Sequence, residues 1–432
     1  MRLTTAAACV LLLRCLSLLS GAMLLVTSAV APAAAQQGDA RAIHKRFNAL
    51  YDAGDYPAAL VEAQKLETAV RARFGVSHPV YGAALSTLAM AYSKQGKYAD
   101  AEDLYKRALA IFEKARGTSQ DLLAETLYNL ANVYIHQGKY ADAENLYKRA
   151  LAIYEKVPGT SQGVMANVLS SLGLVYDKQG KYADADGLYK RALAIREKML
   201  GTDHPDVANI LNNLAAVYVA QGKYADAEGA YKRVLAIYEK ARGKVHTDVG
   251  QTLYNIAVLY QKQGKYANAE GLYKRALAIF QQANHPNLGD ALWGLASLDS
   301  VQGKHPEAEQ LYRRVLAMKE RALGPNHPDM GLILGRLASE LEDQGKYAEA
   351  EETIRRALTI QERSRLHKHP DFADTLSILA ILYRTQKKVR GSGRASPACP
   401  GHPRAGAGSQ SQRRSREPAK SGLHLRISTQ VR

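Results

Sequence analysis

Between residues 206 and 242 apolar positions recur at the three-and-four spacing of an amphipathic helix, twice in succession. Val207, Ile210, Leu211, Leu214, Ala215, Val217 and Tyr218 predict one helix over 206–220. Tyr224, Ala227, Tyr231, Leu235 and Ile237 predict a second over 224–242. Gly222 stands between them, where glycine commonly ends a helix. The same phrase returns along most of the chain, its glycine falling at 54, 96, 138, 180, 222, 264, 303 and 345, a step of 42 residues that shortens once to 39. A period of that length predicts stacked helical hairpins rather than separate globules.

Local signals agree with the period. His78-Pro79, His204-Pro205, His285-Pro286, His327-Pro328 and His369-Pro370 place a proline at a predicted first helical position, where its missing N–H leaves no bond unmade. Ser119 and Ser161 stand in the same place as N-caps in two other units. Small residues mark where two helices cross. Seven before the glycine come Ala89, Ala131, Gly173 and Ala215, and five after it Ala101, Ala143, Ala185 and Ala227. A larger side chain there would hold the helices apart. Tyrosines before and after the glycine, such as Tyr134 and Tyr140, are expected to fill the complementary gaps.

This pattern of Leu-Ala, Tyr, Gly, Tyr, Ala, Tyr, Ala resembles the tetratricopeptide repeat. The phrase from Gly201 to Ala215, followed by Tyr231 to Ile237, is similar to the 42-residue form found in kinesin light chains and many bacterial proteins. The resemblance covers residues 40–386. It implies an all-α fold, a right-handed α-solenoid superhelix of stacked antiparallel helix pairs, whose A helices line a concave groove. It also implies a non-enzymatic scaffold or adaptor that binds a peptide or protein partner there. Aligning the A helices with the family puts positions thirteen, ten and six before the glycine on the groove wall, which selects Tyr128, Asn132, Asn167, Asn209, Asn212, Gln251, Tyr254 and Trp293 as partner-binding residues. Amide side chains pair with an extended peptide backbone, and Tyr and Trp give contact area with little entropy loss. The Lys and Asn set that clamps a C-terminal carboxylate in some relatives is not matched, since Ser86, Ser170 and Ser377 occupy that turn.

The ends differ in composition. Met1-Arg2, an apolar run from Val10 to Val30 and the small residues Ala33-Ala34-Ala35 predict a cleaved signal peptide over 1–35. A periplasmic or secreted protein follows, with no stable membrane insertion once the leader is removed. The repeat array is then expected over 36–386, about eight helix pairs and a final unpaired A helix. From Lys387 the chain turns Gly, Ser, Arg and Pro-rich, so 387–432 reads as a disordered basic tail. A second reading treats that switch as a frameshift, leaving the regulatory repeat half of a protein with a CHAT-protease-like or NTPase domain.

Charge and chemistry narrow the function. The net charge is +17, but 387–432 carries 11 Lys or Arg against one acid, for +10, and Arg2 and Arg14 add +2, leaving 17 − 12 = +5 for the rest. The repeats are only mildly basic, and no aromatics interleave the tail arginines, so nucleic acid is not an expected partner. Cys9, Cys15 and Cys399 all lie outside the array, which therefore has no disulfide framework. No phosphate loop, His-Glu-x-x-His or nucleophile elbow occurs, and neither enzyme activity, cofactor nor metal is expected. The repeating Lys-Arg pairs, Lys106-Arg107 to Lys274-Arg275, read as a solvated face of the B helices. A monomer or weak homo-oligomer is the expected state.

Overall fold

A computed structural model describes residues 31–115, 120–156, 162–363 and 370–392. Among them lie seventeen α-helices and no strand. They divide into two compact units, one ending at Lys223 and one beginning at Tyr224. The N-terminal unit contains α1 (Ala31–Ala53), α2 (Tyr56–Phe74), α3 (Pro79–Lys94), α4 (Tyr98–Lys114), α5 (Gln120–His136), α6 (Tyr140–Lys156), α7 (Gln162–Lys178), α8 (Tyr182–Leu200) and α9 (Pro205–Ala220). The C-terminal unit contains α10 (Tyr224–Arg242), α11 (Thr247–Lys262), α12 (Tyr266–Gln282), α13 (Leu288–Val301), α14 (His305–Leu323), α15 (Asp329–Asp343), α16 (Tyr347–Arg363) and α17 (Pro370–Ser392). Odd-numbered helices are the A helices of successive repeats and even-numbered ones the B helices. Within each unit every helix packs on the next in sequence, and several successive A helices also touch, such as α3 with α5 and α11 with α13.

The turns form for reasons local to each repeat. Gly96 adopts φ 75°, and Lys97 N–H donates to the Tyr92 carbonyl at 3.0 Å, so the end of α3 closes on its own last carbonyls. At the next helix start the histidine itself is the cap. The Nδ1 atoms of His78, His204, His246, His285 and His327 accept the backbone N–H two residues on, at 3.1 to 3.3 Å. His246 does this with Thr247 after it, so the ring nitrogen is the general device and proline an addition to it. Pro79 and Pro205 open their helices as expected, whereas α13 starts at Leu288 and α15 at Asp329, beyond Pro286 and Pro328. Before α13 the short 39-residue step is closed by Asn284 at φ 47°, taking the place glycine holds elsewhere. Ser119, Ser161 and His369 lie outside the described residues.

Alanine and tyrosine form the core. Ala101, Ala143, Ala185, Ala227, Ala269 and Ala350 are fully covered at the helix crossings. The Tyr105, Tyr147, Tyr189, Tyr231 and Tyr273 rings, nine residues after the glycine, are the largest side chains buried in the array. At Gly173 an added Cβ would meet the Tyr189 ring at 3.1 Å, which shows how little room the crossing leaves. The tyrosines four before the glycine, Tyr92, Tyr134, Tyr176 and Tyr218, pack against the core from its edge and also carry cations. Tyr134 is half-buried, and the ammonium groups of Lys106 and Lys139 lie 5.9 and 5.1 Å from its centroid.

The repeated charges are mutually engaged. Glu102 accepts from Lys106 on its own helix at 2.6 Å and from Lys139 of the next repeat at 2.9 Å. Glu144 repeats this with Lys148 and Lys181, and Glu270 with Lys274 and Lys304. Burial pushes the Glu102 carboxyl up, but hydrogen bonds from Lys106, Lys139 and Gln137 outweigh it and hold it at about 2. In several Lys-Arg pairs the arginine reaches back to the preceding B helix, as Arg149 does to Glu113 and Arg191 to Glu155, both at 2.6 Å. The basic face is thus a ladder tying repeat to repeat, each rung worth about 0–1 kcal/mol.

At the ends, α1 begins at Ala31, ahead of the expected cleavage point after Ala35, and α17 runs to Ser392, past the expected tail boundary at Lys387. The residues Lys387 to Arg390 suit a helix and carry the last one on to Gly391. No helix among the described residues is long and apolar enough to cross a membrane. Most of the leader and of the tail lie outside the described residues.

Candidate functional site

The wall formed by successive A helices is where the sequence places partner contacts. Positions thirteen, ten and six before each glycine fall on one stripe of the helix, because residues three, four and seven apart share a face. Whether that stripe is open depends on its neighbours. Between adjacent A helices the B helix inserts a side chain sixteen residues after the glycine, such as Phe112, Tyr154 or Phe280, and all three are buried.

That wedge decides the fate of the expected residues. Asn212, Gln251 and Tyr254 are buried. Gln251 donates to Asn255 at 3.1 Å and accepts from Asn287 at 2.5 Å. Tyr254 packs edge-on against Tyr273, with ring centroids 5.6 Å apart. Tyr128 and Asn132 are half-buried, and both meet Tyr147. Its hydroxyl donates to Asn132 Oδ1 at 2.5 Å, and its ring lies 5.8 Å from that of Tyr128. Asn167 accepts from Arg196, which takes the wedge position otherwise held mostly by aromatics, and Arg196 also approaches Asp206 at 3.8 Å. Asn209 is half-buried on α9, and Trp293 packs edge-on against Tyr312 at 5.0 Å. Most of the expected set therefore joins helices to one another.

The same stripe opens in the first three repeats. There α1, α3 and α5 border a recess of about 40 Å³, with apolar walls from Phe47, Met90, Phe112 and Leu122. Its polar lining is His44, Asn48, Ser86, Thr126, Glu125 and Asn129. His44 and Asn48, Ser86 and Met90, and Glu125 occupy stripe positions in their own repeats, so the register that chose the expected residues also points here. His44, Ser86, Met90 and Glu125 are neither amides nor large aromatics, so residue type alone does not single them out. Phe47 is buried, its ring 6.0 Å from His44 and 5.5 Å from Tyr51.

The recess holds polar groups in costly states. Asn48 Nδ2 donates to His44 Nε2 at 3.1 Å, which leaves the imidazole proton on Nδ1, and that atom is buried with no hydrogen-bond partner. Burial lowers the His44 pKa, so the ring is a neutral donor near pH 7. Burial also raises the Glu125 carboxyl to about 7, with a smaller push from the Asp121 charge one turn earlier. Asp121 Oδ1 has no hydrogen-bond partner either. Ser86 and Thr126 hydroxyls meet at 3.3 Å across α3 and α5. The site offers a donor, a carboxyl poised between its two forms, amides and an apolar floor. It has the makeup of a binding pocket, with no nucleophile paired to a base.

Comparison with known proteins places the architecture. No curated protein matches the chain in sequence. Among solved structures, the quorum sensor NprR from B. thuringiensis is 16% identical over 81% of this chain and 92% of its own, with a TM-score of 0.59. BtubC from P. vanneervenii is 26% identical over 57% of this chain and 94% of its own, with a TM-score of 0.45. A putative kinesin light chain repeat protein from Podosopora anserina is 23% identical over 47% and 96%, with a TM-score of 0.41. The tetratricopeptide repeat model matches residues 39–114, 122–198, 164–240, 248–321 and 289–363. With glycine-closed hairpins, alanine crossings and buried tyrosines repeated through both units, the chain belongs to the tetratricopeptide repeat family.

Proposed function

We propose that this protein is a non-enzymatic scaffold that holds an extended segment of a peptide or protein partner against the A-helix wall of its N-terminal unit, one apolar side chain of that segment entering the recess. The observation that carries this reading is the recess between α1, α3 and α5, where an apolar floor meets the unpaired His44 Nδ1 and the Glu125 carboxyl. Buried polar atoms without partners destabilise a fold by about 1–3 kcal/mol each, so their presence on the wall favours a ligand that completes them. The His44 N–H suits a peptide carbonyl, and Glu125 suits a peptide N–H when ionised. NprR, a quorum sensor, uses the same fold.

The experiment is a selection of random peptides on the immobilised full chain, followed by fluorescence anisotropy with the enriched sequence. Met90→Arg fills the recess with a charged side chain from a half-buried position. It is expected to weaken binding at least ~10-fold, or about 1.4 kcal/mol, with an unchanged circular-dichroism melt. Equal affinity for both proteins would overturn the reading. We place this activity in the periplasm or outside the cell, on the strength of the leader-like residues 1–35. The mass of the protein isolated from its host then begins at Gln36; a mass that includes Met1 would refute the placement.

A further inference from the structure

Because each repeat is a control for the others, a residue that breaks the pattern stands out, and in the C-terminal unit two such breaks meet beside a third ligand-type side chain. Two residues after the glycine every other repeat has tyrosine, as at Tyr266 and Tyr347, but the seventh has His305. Five before the glycine the other repeats have an apolar residue, such as Leu259 or Leu298, but the eighth has Glu340. Two before it the repeats vary, with Asp52, Lys178 and Val301 among them, and the eighth has Asp343. These positions are far apart in the repeat, yet α14 and α15 bring all three side chains together.

The geometry is that of a chelate. His305 Nδ1 lies 2.9 Å from Glu340 Oε2 and 3.9 Å from Asp343 Oδ2, and the three atoms fall within 4.8 Å of one another. An ion bonded at about 2.0–2.2 Å to nitrogen and oxygen sets its ligands roughly 3 to 3.5 Å apart. Closing this trio around a cation therefore needs only a small movement of Asp343, which is the most exposed member. The other two are held in place. Glu340 is 2% exposed, and its second oxygen, Oε1, accepts from Ser300 Oγ at 2.6 Å. The His305 carbonyl accepts from Gln344 Nε2 at 3.2 Å, which pins the residue at the start of α14. Supporting hydrogen bonds of this kind fix the orientation of metal-binding side chains.

We propose that His305, Glu340 and Asp343 form a three-ligand site for a divalent transition cation of the Zn²⁺ type, linking two successive hairpins of the C-terminal unit. One imidazole nitrogen and two carboxylate oxygens, with further positions left to water, suit Zn²⁺ and its neighbours, whereas Mg²⁺ and Ca²⁺ prefer oxygen alone. Glu340 places a carboxylate where most other repeats bury an apolar side chain, and a bound cation would lie against that buried oxygen.

The test uses the full chain stripped with a chelator and then titrated with Zn²⁺, with Co²⁺ as a spectroscopic stand-in. His305→Tyr and Glu340→Leu each restore the residue type of the other repeats, so both variants are expected to fold at least as well as the parent. The parent is expected to show a ligand-field Co²⁺ spectrum displaced by Zn²⁺ and a melting temperature raised by Zn²⁺ but not by the same concentration of Mg²⁺. Both variants are expected to lose the spectrum and the shift, with affinity falling at least ~10-fold. An unchanged spectrum in His305→Tyr, or a parent that takes up no more Zn²⁺ than the double variant, would overturn the proposal.

Discussion

The outer face of the B helices and the inner wall of the A helices are built on the same 42-residue period, yet they handle polar groups in opposite ways. On the outer face the charge pattern recurs from repeat to repeat, and many of the charges pair within and between repeats. Glu144 holds Lys148 and Lys181, and Arg191 holds Glu155. On the wall the residues at one register change in size and polarity along the array, as His44, Ser86, Tyr128 and Asn212 do, and some polar atoms are buried without partners, among them His44 Nδ1 and Ser170 Oγ. Repetition serves packing, because each interface must present the same surface to the next. Variation at a fixed register, together with a buried polar atom left unpaired beside an apolar recess, is why recognition is placed on the wall and not on the charged face.

The largest expected effect comes from the repeated core. Tyr147→Ala empties a site that is 1% exposed and strands Asn132, and it should cost about 3–5 kcal/mol in urea unfolding. A loss below 1 kcal/mol would mean that the buried tyrosines do not hold the hairpins together. Next in size, and opposite in sign, is Glu125→Gln. Burial holds the folded carboxyl at about 7 against 4.5 in the free residue. Between those values the folded chain keeps a proton that the unfolded chain releases, so stability falls as pH rises through the window and levels off above it. The substitution should therefore stabilise the protein by up to about 3 kcal/mol at pH 8 and by almost nothing at pH 4, read from denaturant midpoints. A gain that does not depend on pH would break the contrast between wall and face.

Gly294→Ala sharpens the picture within the C-terminal unit. An added Cβ would stand 2.5 Å from Tyr273 and 3.1 Å from Tyr254, both buried, so a loss of about 1–3 kcal/mol is expected in thermal melts. The smallest effect belongs to the ladder. Lys148→Ala removes an exposed partner of Glu144 and should change stability by no more than about 1 kcal/mol, less at high salt. A larger, salt-resistant loss would show that the charged face does more than register neighbouring repeats.

The array was legible in the sequence because each boundary carries its own local signal. The second helix expected over 224–242 is α10 as observed, and the first differs from α9 only by the inclusion of Pro205. The role of the repeated Lys-Arg pairs was only half legible. Their exposure follows from amphipathicity, but their partners lie one repeat away, as Arg149 and Glu113 do. The wall was the least legible part. Register places Asn132, Gln251 and Glu125 on one stripe, but their exposure is set by the volume of the wedge residue and the spacing of adjacent helices, which no local pattern encodes. Asp121 shows the same limit, since its unpaired oxygen is visible only once its surroundings are built.

The most direct test of recognition on the wall is hydrogen exchange of the full chain with and without a library-selected peptide. Added protection in α1, α3 and α5, with α6 and α8 unchanged, is the result this account predicts. Protection gained on α6 and α8 with none on the three A helices would contradict it.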